Sequence, residues 1–589
     1  MIKQFLQQSR VKTLLCFVFL CVFLAACGGE GAGNPERIAE EEGLVFQEGP
    51  FALSVAPGFF DAPFDLSVTL PTMPEAVIYF TIDGTEPTPG DTRFITRGEV
   101  QIPVSGFVPE NGKILVEDRS SYWGQAILSH HATAWAYTHP APGSQLLQGT
   151  SFRFRGFVNG EAVTETITLS YIVAPDAASR FAGMPVVSVT APYAEFLYIY
   201  SNADPWDETT RRRVFQFEYF EYIDGAYTRI FQLPGSTSLG GTGSRRFAQR
   251  TLNVHFSRGA LDGKITHPIF PGLYELYRFR LWNGGNSFLW DHMRDPFVQT
   301  ASANLNVPRG EHRLAIKFIN GEFWGFTTIR EHTSNRQYVS TRLGLAPDNV
   351  AMVDRSWHPF EDTHMFYDHI QEGQEDIVWA LYDEVVDFAR NNDLSTDEAR
   401  IRLFEEFFCQ ENFMDYLIAN TFFLNQDWPQ NNIRLFRAIT PVPNASNPYE
   451  DGRWRFIFHD MDHAPGPYVD RHRTSRFFML YQPPIDRIPP LNYIFLVFNN
   501  QAFVEDFVAR ALYLLDTEFY PERLLELHAQ FVAQYLPLLP EMYGRFAISG
   551  TVEASLENFR THSENLRQFL TIRGEDYRLD LQYLLERVA

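Results

Sequence analysis

The chain has 589 residues, too many for one hydrophobic core, and its 45% hydrophobic and 15% aromatic content suits globular domains rather than a disordered polymer. The formal charge of −23 argues against a nucleic-acid partner, which calls for a basic face.

Residues 1–26 read as an export signal. Lys3, Arg10 and Lys12 form a basic leader, and residues 13–24 an apolar stretch too short to span a bilayer comfortably. Leu24-Ala25-Ala26-Cys27 resembles a bacterial lipobox, which implies cleavage before Cys27 and a lipid on its sulfur. The alternative is an ordinary signal peptide with a chance cysteine. Residues 27–49, rich in glycine at their start, then form a flexible tether. With Cys16, Cys21 and Cys27 so assigned, Cys409 alone remains, which excludes an intrachain disulfide and a cysteine-based zinc site. Cys409 lies in an apolar run with Leu403, Phe404, Phe407 and Phe408 and is expected in the core.

Residues 50–175 read as all-β. Val77 to Ile82 alternate and end at Asp83-Gly84, a hairpin signal. The segment 78–88 resembles the signature of the small β-sandwich at the C-terminal end of chitobiases and β-hexosaminidases, and 132–137 and 171–173 fit its later strands. That resemblance implies a spacer or binding module without catalytic residues. After a short linker, strands are expected at 186–189, 213–220 and 229–233, with an Asp224-Gly225 turn. Gly240-Gly241-Thr242-Gly243-Ser244-Arg245-Arg246 precedes an alternating strand at 251–256. A Gly-rich basic turn can bring backbone N–H groups and guanidinium forks to phosphate oxygens, although such turns are also ordinary solvated loops. Residues 278–286 suggest a strand and a turn. Residues 313–332 form a hairpin about Asn320-Gly321, with Trp324 and Phe326 in the core.

Beyond about 370 the period becomes helical. Ile377, Leu381, Val385, Val386 and Phe388 share one face; Ser395-Thr396-Asp397-Glu398 starts another helix; 404–420 reads as one buried helix. The last hundred residues are helical and charged.

Two acidic stretches carry the chemistry. Asp427 is followed five residues later by Asn432, with Asn431 a neighbouring competitor, and an apolar run ends in His459-Asp460-Met461-Asp462-His463. One carboxylate for an acceptor hydroxyl, with an Asn and an Asp for Mg²⁺, is what metal-dependent phosphoryl transfer needs. If Asp-x-Asp is strand, Asp460 and Asp462 share a face and need a cation between them. The competing reading is a helix-terminal turn with polar caps. Mg²⁺ prefers oxygen ligands, so His459 and His463 are read as supporting groups.

Asn-Gly-Glu-Phe-Trp-Gly-Phe-Thr-Thr-Ile-Arg-Glu-His, the Gly284-Gly285-Asn286-Ser287 turn, the Gly/Ser/Arg turn, the Asp427–Asn432 segment and His459–His463 together resemble blocks of the spore coat protein H (CotH) kinase family, over roughly 180–480. The two resemblances together imply a multidomain chain: an all-β sandwich at 50–175 from the chitobiase-like segment, then an α+β atypical protein-kinase-like domain at 180–485, with a helical C-terminal part at 486–589, from the CotH blocks. It implies Asp427 at the acceptor hydroxyl, Asn432, Asp460 and Asp462 on the metal, and Arg245, Arg250, Glu331 and Asn432 around the nucleotide. ATP with Mg²⁺ or Mn²⁺ is the expected cofactor, and secreted or envelope proteins are the expected acceptors. The protein would be extracytoplasmic, lipid-anchored at Cys27, with polysaccharide a further partner of the β-sandwich. One departure stands out: Gln249-Arg250 occupies the region where the family usually has a lysine, and an arginine fork is not equivalent to an ammonium. The buried-or-exposed status of Lys317, the other candidate, depends on strand alternation, which can face it to solvent. The departure keeps open a pseudokinase-type surface protein used in adhesion or binding. A glycoside hydrolase lacks a convincing pair of acid and nucleophile carboxylates. Replacing the proposed anchor, Cys27→Ser, should release the protein from the membrane fraction; unchanged retention would rule out anchoring through that sulfur.

Overall fold

The computed structural model describes residues 46–97, 100–120, 144–201, 212–241, 243–247, 249–360, 363–465, 477 and 490–589. The export signal, Cys27 and the 132–137 segment lie outside them. The N-terminal strands are β1 (Phe46–Glu48), β2 (Phe51–Leu53), β3 (Gly58–Phe60), β4 (Phe64–Thr69), β5 (Val77–Thr81), β6 (Phe94–Arg97), β7 (Val100–Pro103), β8 (Ser105–Phe107), β9 (Lys113–Val116), β10 (Thr150–Val158), β11 (Glu161–Ala162) and β12 (Ile167–Val173). One sheet runs β1-β2-β4-β9, and β3-β12-β10-β5-β8 are neighbours in another. Their alternating apolar residues, among them Leu66, Val68, Phe152 and Phe154, pack into a shared core. Asp83-Gly84 is not a tight hairpin, because β5 pairs with β8 and β10 instead of with the next strand. The Asp83 carboxylate is bonded locally to Thr85, and Gly84 lies so close to Ala191 that a Cβ would overlap the Ala191 carbonyl.

Seven further strands follow: β13 (Val186–Thr190), β14 (Arg213–Ile223), β15 (Ala226–Leu239), β16 (Leu252–His255), β17 (Arg278–Trp282), β18 (His312–Ile319) and β19 (Glu322–Arg330). They pair in the order β14-β13-β18-β19-β17-β16-β15, and a β14–β15 pairing closes the circuit. Phe217 meets both Phe256 and Phe279 across the enclosed space. The Asn320-Gly321 turn joins β18 to β19 as expected, with both residues at positive φ. It docks on the N-terminal strands through Gly149 N–H to the Gly321 carbonyl at 2.8 Å and the Gln148 amide to the Asn320 carbonyl at 3.3 Å. Gly is required at 321, since a Cβ there would strike the Gly149 carbonyl.

Helix α1 (Arg294–Ala301) lies between β17 and β18. A second sheet, β21-β20-β22-β23, comprises β20 (Val350–Phe360), β21 (Thr363–Glu372), β22 (Ile433–Ala438) and β23 (Arg455–Phe456). Its helices are α2 (Glu375–Asn391), α3 (Asp397–Arg402) and α4 (Gln410–Phe422), and the chain ends in α5 (Gln501–Thr517), α6 (Pro521–Tyr535), α7 (Leu539–Arg545) and α8 (Val552–Val588). Thr396 caps α3 by accepting the Ala399 N–H. The single helix expected over 404–420 is broken. Phe408 is extended and bridges Trp454, whose N–H reaches the Phe407 carbonyl at 2.7 Å while its carbonyl accepts from Cys409. This long-range pairing overrides the local helical pattern. Cys409 is buried, as expected.

Lys317 departs from the solvent-facing expectation: it is 0% exposed. Its pairing with Val187, and that of Ile319 with Val189, turn it inside the closed circuit, where its ammonium has no hydrogen-bond partner. Burial pushes its pKa down to about 7. The folded state therefore sheds this proton at a pH where the unfolded chain still holds it. The cost is full below about pH 7 and fades as pH rises toward the ordinary lysine range. Lys317→Met should stabilise the protein by roughly 2–4 kcal/mol at or below pH 7, and the gain should shrink between pH 7 and 10. Urea unfolding across that range checks it; a pH-independent difference would contradict it.

Candidate functional site

The loop after α4 carries the first acidic stretch. Asn420 and Asn425, both buried, are linked at 2.9 Å, and Asn425 Oδ1 accepts the Asp427 N–H at 3.2 Å. Asn431 N–H returns to the Asp427 carbonyl at 3.0 Å and closes the turn. Asn432, at φ 58°, then turns the chain into β22. From below, the buried Arg355 donates to the Pro429 carbonyl at 2.9 Å while a fork to Asp368 fixes its guanidinium. Trp428, fully buried, packs on Tyr416 and Phe495.

The second stretch follows β23, but not as a strand. Strand pairing ends at Phe456, and Asp460 stands at φ 50°. Met461 N–H is then caught by Asp295 Oδ1 of α1 at 2.7 Å. The period-two expectation for Asp460 and Asp462 therefore fails locally, and their proximity comes from this turn. Asp462 Oδ2 accepts from the Asn286 N–H at 2.6 Å and from its side-chain amide at 3.2 Å. Gly285 makes the approach possible: it has φ 57°, and a Cβ there would overlap the same carboxylate oxygen. Asp462 Oδ1 is buried with no partner.

The structure brings Asp427, Asn432, Asp460 and Asp462 together. The Asn432 amide is 3.5 Å from both Asp427 Oδ2 and the Asp460 carbonyl. Burial raises the Asp460 pKa, Asp295 and Asp427 raise it further, and Arg330 and Arg280 oppose them. Burial likewise raises Asp462 well above the carboxylate range, with Asp460, Asp427 and Asp295 adding to it. The Gly-rich turn adjoins the Asn286 turn that holds Asp462. Its helical turn Gly243–Arg246 neighbours the Gly285–Leu289 turn, and Phe247 stacks on Phe288 at 5.0 Å.

Arg245 donates to the Leu239 carbonyl at 3.2 Å, and Arg250 is 4% exposed. The Gln249 amide is clipped to the Trp324 and Phe326 carbonyls at 2.9 and 2.6 Å. Glu331 is not brought to the cluster: its oxygens accept from Arg342 Nε at 2.8 Å and the Glu311 N–H at 2.9 Å. Its neighbour Arg330 faces the cluster instead and pairs with Asp295 at 3.0 Å. His459 sits 3.2 Å from Arg434 and is held well below the usual histidine range by burial and the arginines around it; His463 packs edge-on to Trp290.

Sequence reasoning missed Asp295, Asn286, Arg280 and Arg330. Asn286 and Arg330 lie inside recognised blocks, and alternation separates Arg330 from Glu331 once the cleft-facing side of the strand is known. Nothing local marks Asp295.

Among the described residues, no three of His, Cys, Asp or Glu stand ready-made around a cation. The oxygen-rich set still fits one, since Mg²⁺ keeps most of its shell for water and phosphate, and the orphaned Asp462 Oδ1 and the raised Asp460 and Asp462 carboxylates call for positive charge. The cation-free fold should therefore lose stability as pH rises above about 4, where the unfolded carboxylates ionise and the folded ones resist. Asp462→Asn should raise cation-free stability at pH 7 by about 1–3 kcal/mol. It should also remove most of the melting-temperature rise that millimolar Mg²⁺ or Mn²⁺ gives the unaltered chain. Thermal unfolding with EDTA and with metal tests both, and equal Mg²⁺ stabilisation of the two proteins would contradict the assignment.

The family model described as CotH kinase protein matches residues 238–576, more than half of the chain, from just before the Gly-rich turn into the last helix. No curated protein matches.

Proposed function

Because the chain belongs to the CotH kinase family, we propose that it is an exported, membrane-anchored atypical protein kinase that moves a phosphoryl group from ATP to hydroxyls of secreted or surface proteins. The observation that carries the reading is the convergence of Asp427, Asn432, Asp460 and Asp462 from two separate loops.

Asp427 is half-buried and held by Asn425, which suits it to orient an acceptor hydroxyl and take up its proton. Asn432, Asp460 and Asp462 would hold Mg²⁺ or Mn²⁺, with Asn286 orienting Asp462. When bound, the cation supplies the positive charge that offsets the phosphate oxygens. Arg330 and Arg280 add fixed positive charge on the facing strands. In this reading the backbone of the Gly-rich turn covers the phosphates. The N-terminal strands serve as a chitobiase-like β-sandwich module, a spacer or polysaccharide-binding unit, on a lipid anchor at Cys27.

The position at Gln249-Arg250 favours a second reading, a catalytically weak pseudokinase-type surface protein used in adhesion or binding: Gln249 is committed to the β19 backbone and Arg250 is buried. Purified residues 28–589 with ATP and Mg²⁺ or Mn²⁺ should phosphorylate themselves or an added protein. Asp427→Ala and Asp460→Ala should each cut the rate at least 100-fold while leaving the circular dichroism spectrum unchanged. Failure of the unaltered chain to bind nucleotide or transfer phosphate would sink the kinase reading and leave the second one.

A further inference from the structure

The cleft-facing side of β16, β17 and β19 is cationic in a chain whose overall charge is −23. His255 stands directly opposite Arg278 in the β16–β17 ladder, and Arg280 directly opposite Arg330 in the β17–β19 ladder. Alternation sets all four on one face, together with His332 two residues beyond Arg330. This is the face that meets the carboxylate cluster, because Arg330 and Arg280 act on Asp460. The Arg280–Arg330 pair sets two cations opposite one another across a ladder, which is unfavourable unless an anion joins them, as Asp295 does at Arg330.

Counter-charges on the described residues are unevenly shared. Arg330 is paired with Asp295 at 3.0 Å, and Arg434 forks onto Asp354 at 2.8 and 2.5 Å. Arg280 lies 3.1 Å from His332 Nε2, and the His255 and His332 rings are 6.1 Å apart. Among the described residues the Arg278 guanidinium makes no hydrogen bond or ion pair. The carboxylate that acts on it is Glu372, which also lies 3.8 Å from Arg336. Burial lowers Arg278 from its ordinary range, and Arg258, Arg212 and Arg336 lower it further; His255 is pushed down to about 3 by burial and by Arg278, Arg212, Arg258 and Arg280. A cavity beside Arg278 is bordered by His332 and Asn335 and also by Glu275 and Glu331, whose carboxylates are paired with Lys264 and Arg342.

We propose that this end of the cleft is an anion seat, centred on Arg278 and His255 and reinforced by Arg258, that takes a phosphate group other than the one transferred at Asp427. His255 lies three residues along β16 from Leu252, about 10 Å at strand rise, and Leu252 is the residue that pairs beside the Gly-rich turn, so the seat is separate from that turn. Guanidinium forks match the oxygen edges of a phosphate. The occupant carries that group either as free phosphate or as a phosphate monoester on a larger molecule. Filling the seat requires neither a divalent cation nor phosphoryl transfer, so its test is independent of the kinase reading.

Isothermal titration of the full-length chain in EDTA with inorganic phosphate, O-phosphoserine and acetate tests the seat. Saturable binding of at least one phosphate probe is expected, with acetate at least tenfold weaker. The tighter probe identifies the source as free ion or monoester. Arg278→Gln should weaken binding about tenfold and the exposed Arg258→Gln about threefold, whereas Asp462→Asn should leave it unchanged. Absence of phosphate binding, acetate binding as tight as phosphate, or affinity lost in Asp462→Asn but kept in both arginine variants would overturn the proposal.

Discussion

Crowding of like charge is the constraint around which the cleft is built. Burial raises the proton affinity of Asp460 and Asp462; Asp427 and Asp295 raise both further, and Asp460 adds to Asp462. Such a cluster persists only if the surrounding chain over-determines it. The fastening is distributed. Asp295 holds the Met461 N–H and is itself held by Arg330 and by the Gln299 amide. Asn286 holds Asp462 with backbone and side chain together, over a glycine that leaves room for it. The cluster is thus built from one loop of the β13–β19 circuit, one helix and two loops of the second sheet, and it exists only when all of them are docked.

The elements beneath it are braced by buried arginines rather than by apolar contact alone. Arg355 joins Asp368 on β21, the Pro429 carbonyl and Asn492 in one fork. Arg434 joins Asp354 on β20 to Thr333 after β19, and so ties the two sheets across the cleft. Removing one partner of such a pair leaves an uncompensated buried charge, so these arginines fix geometry more than they add stability. On the far side, Arg545 lies 4.1 Å over the Trp324 ring and anchors the C-terminal helices to β19.

The N-terminal strands are joined to this assembly by polar groups as well as by turns. The Ser151, Ser170 and Ser188 hydroxyls form a buried chain, and the buried Glu218 accepts from the Ser170 N–H and pairs with Arg229. Gly84 and Gly321 each admit a backbone of the other unit at a distance no side chain allows. A seam made this way is specific in register, since sliding it would strand the buried Glu218 charge.

The sequence by itself determined whatever depends on residues near one another in the chain. The Asn320-Gly321 turn, the apolar face of α2, the Thr396 cap and the Asp427–Asn432 spacing all express local rules of φ, period and hydrogen-bond reach. Only the tertiary structure decided the rest. Closure of the β13–β19 circuit put Lys317 inside, where alternation alone left two faces open. Trp454 broke the helix at Phe408 from nearly fifty residues away. A clamp from Asp295 made Asp460-Met461-Asp462 a turn instead of a strand. The cleft-facing side of β19 carries Arg330, while Glu331, just past the strand, pairs with Arg342. In each case the deciding partner is remote in sequence, and its contribution, a paired charge, a satisfied carbonyl or a closed sheet edge, has no counterpart in the local pattern.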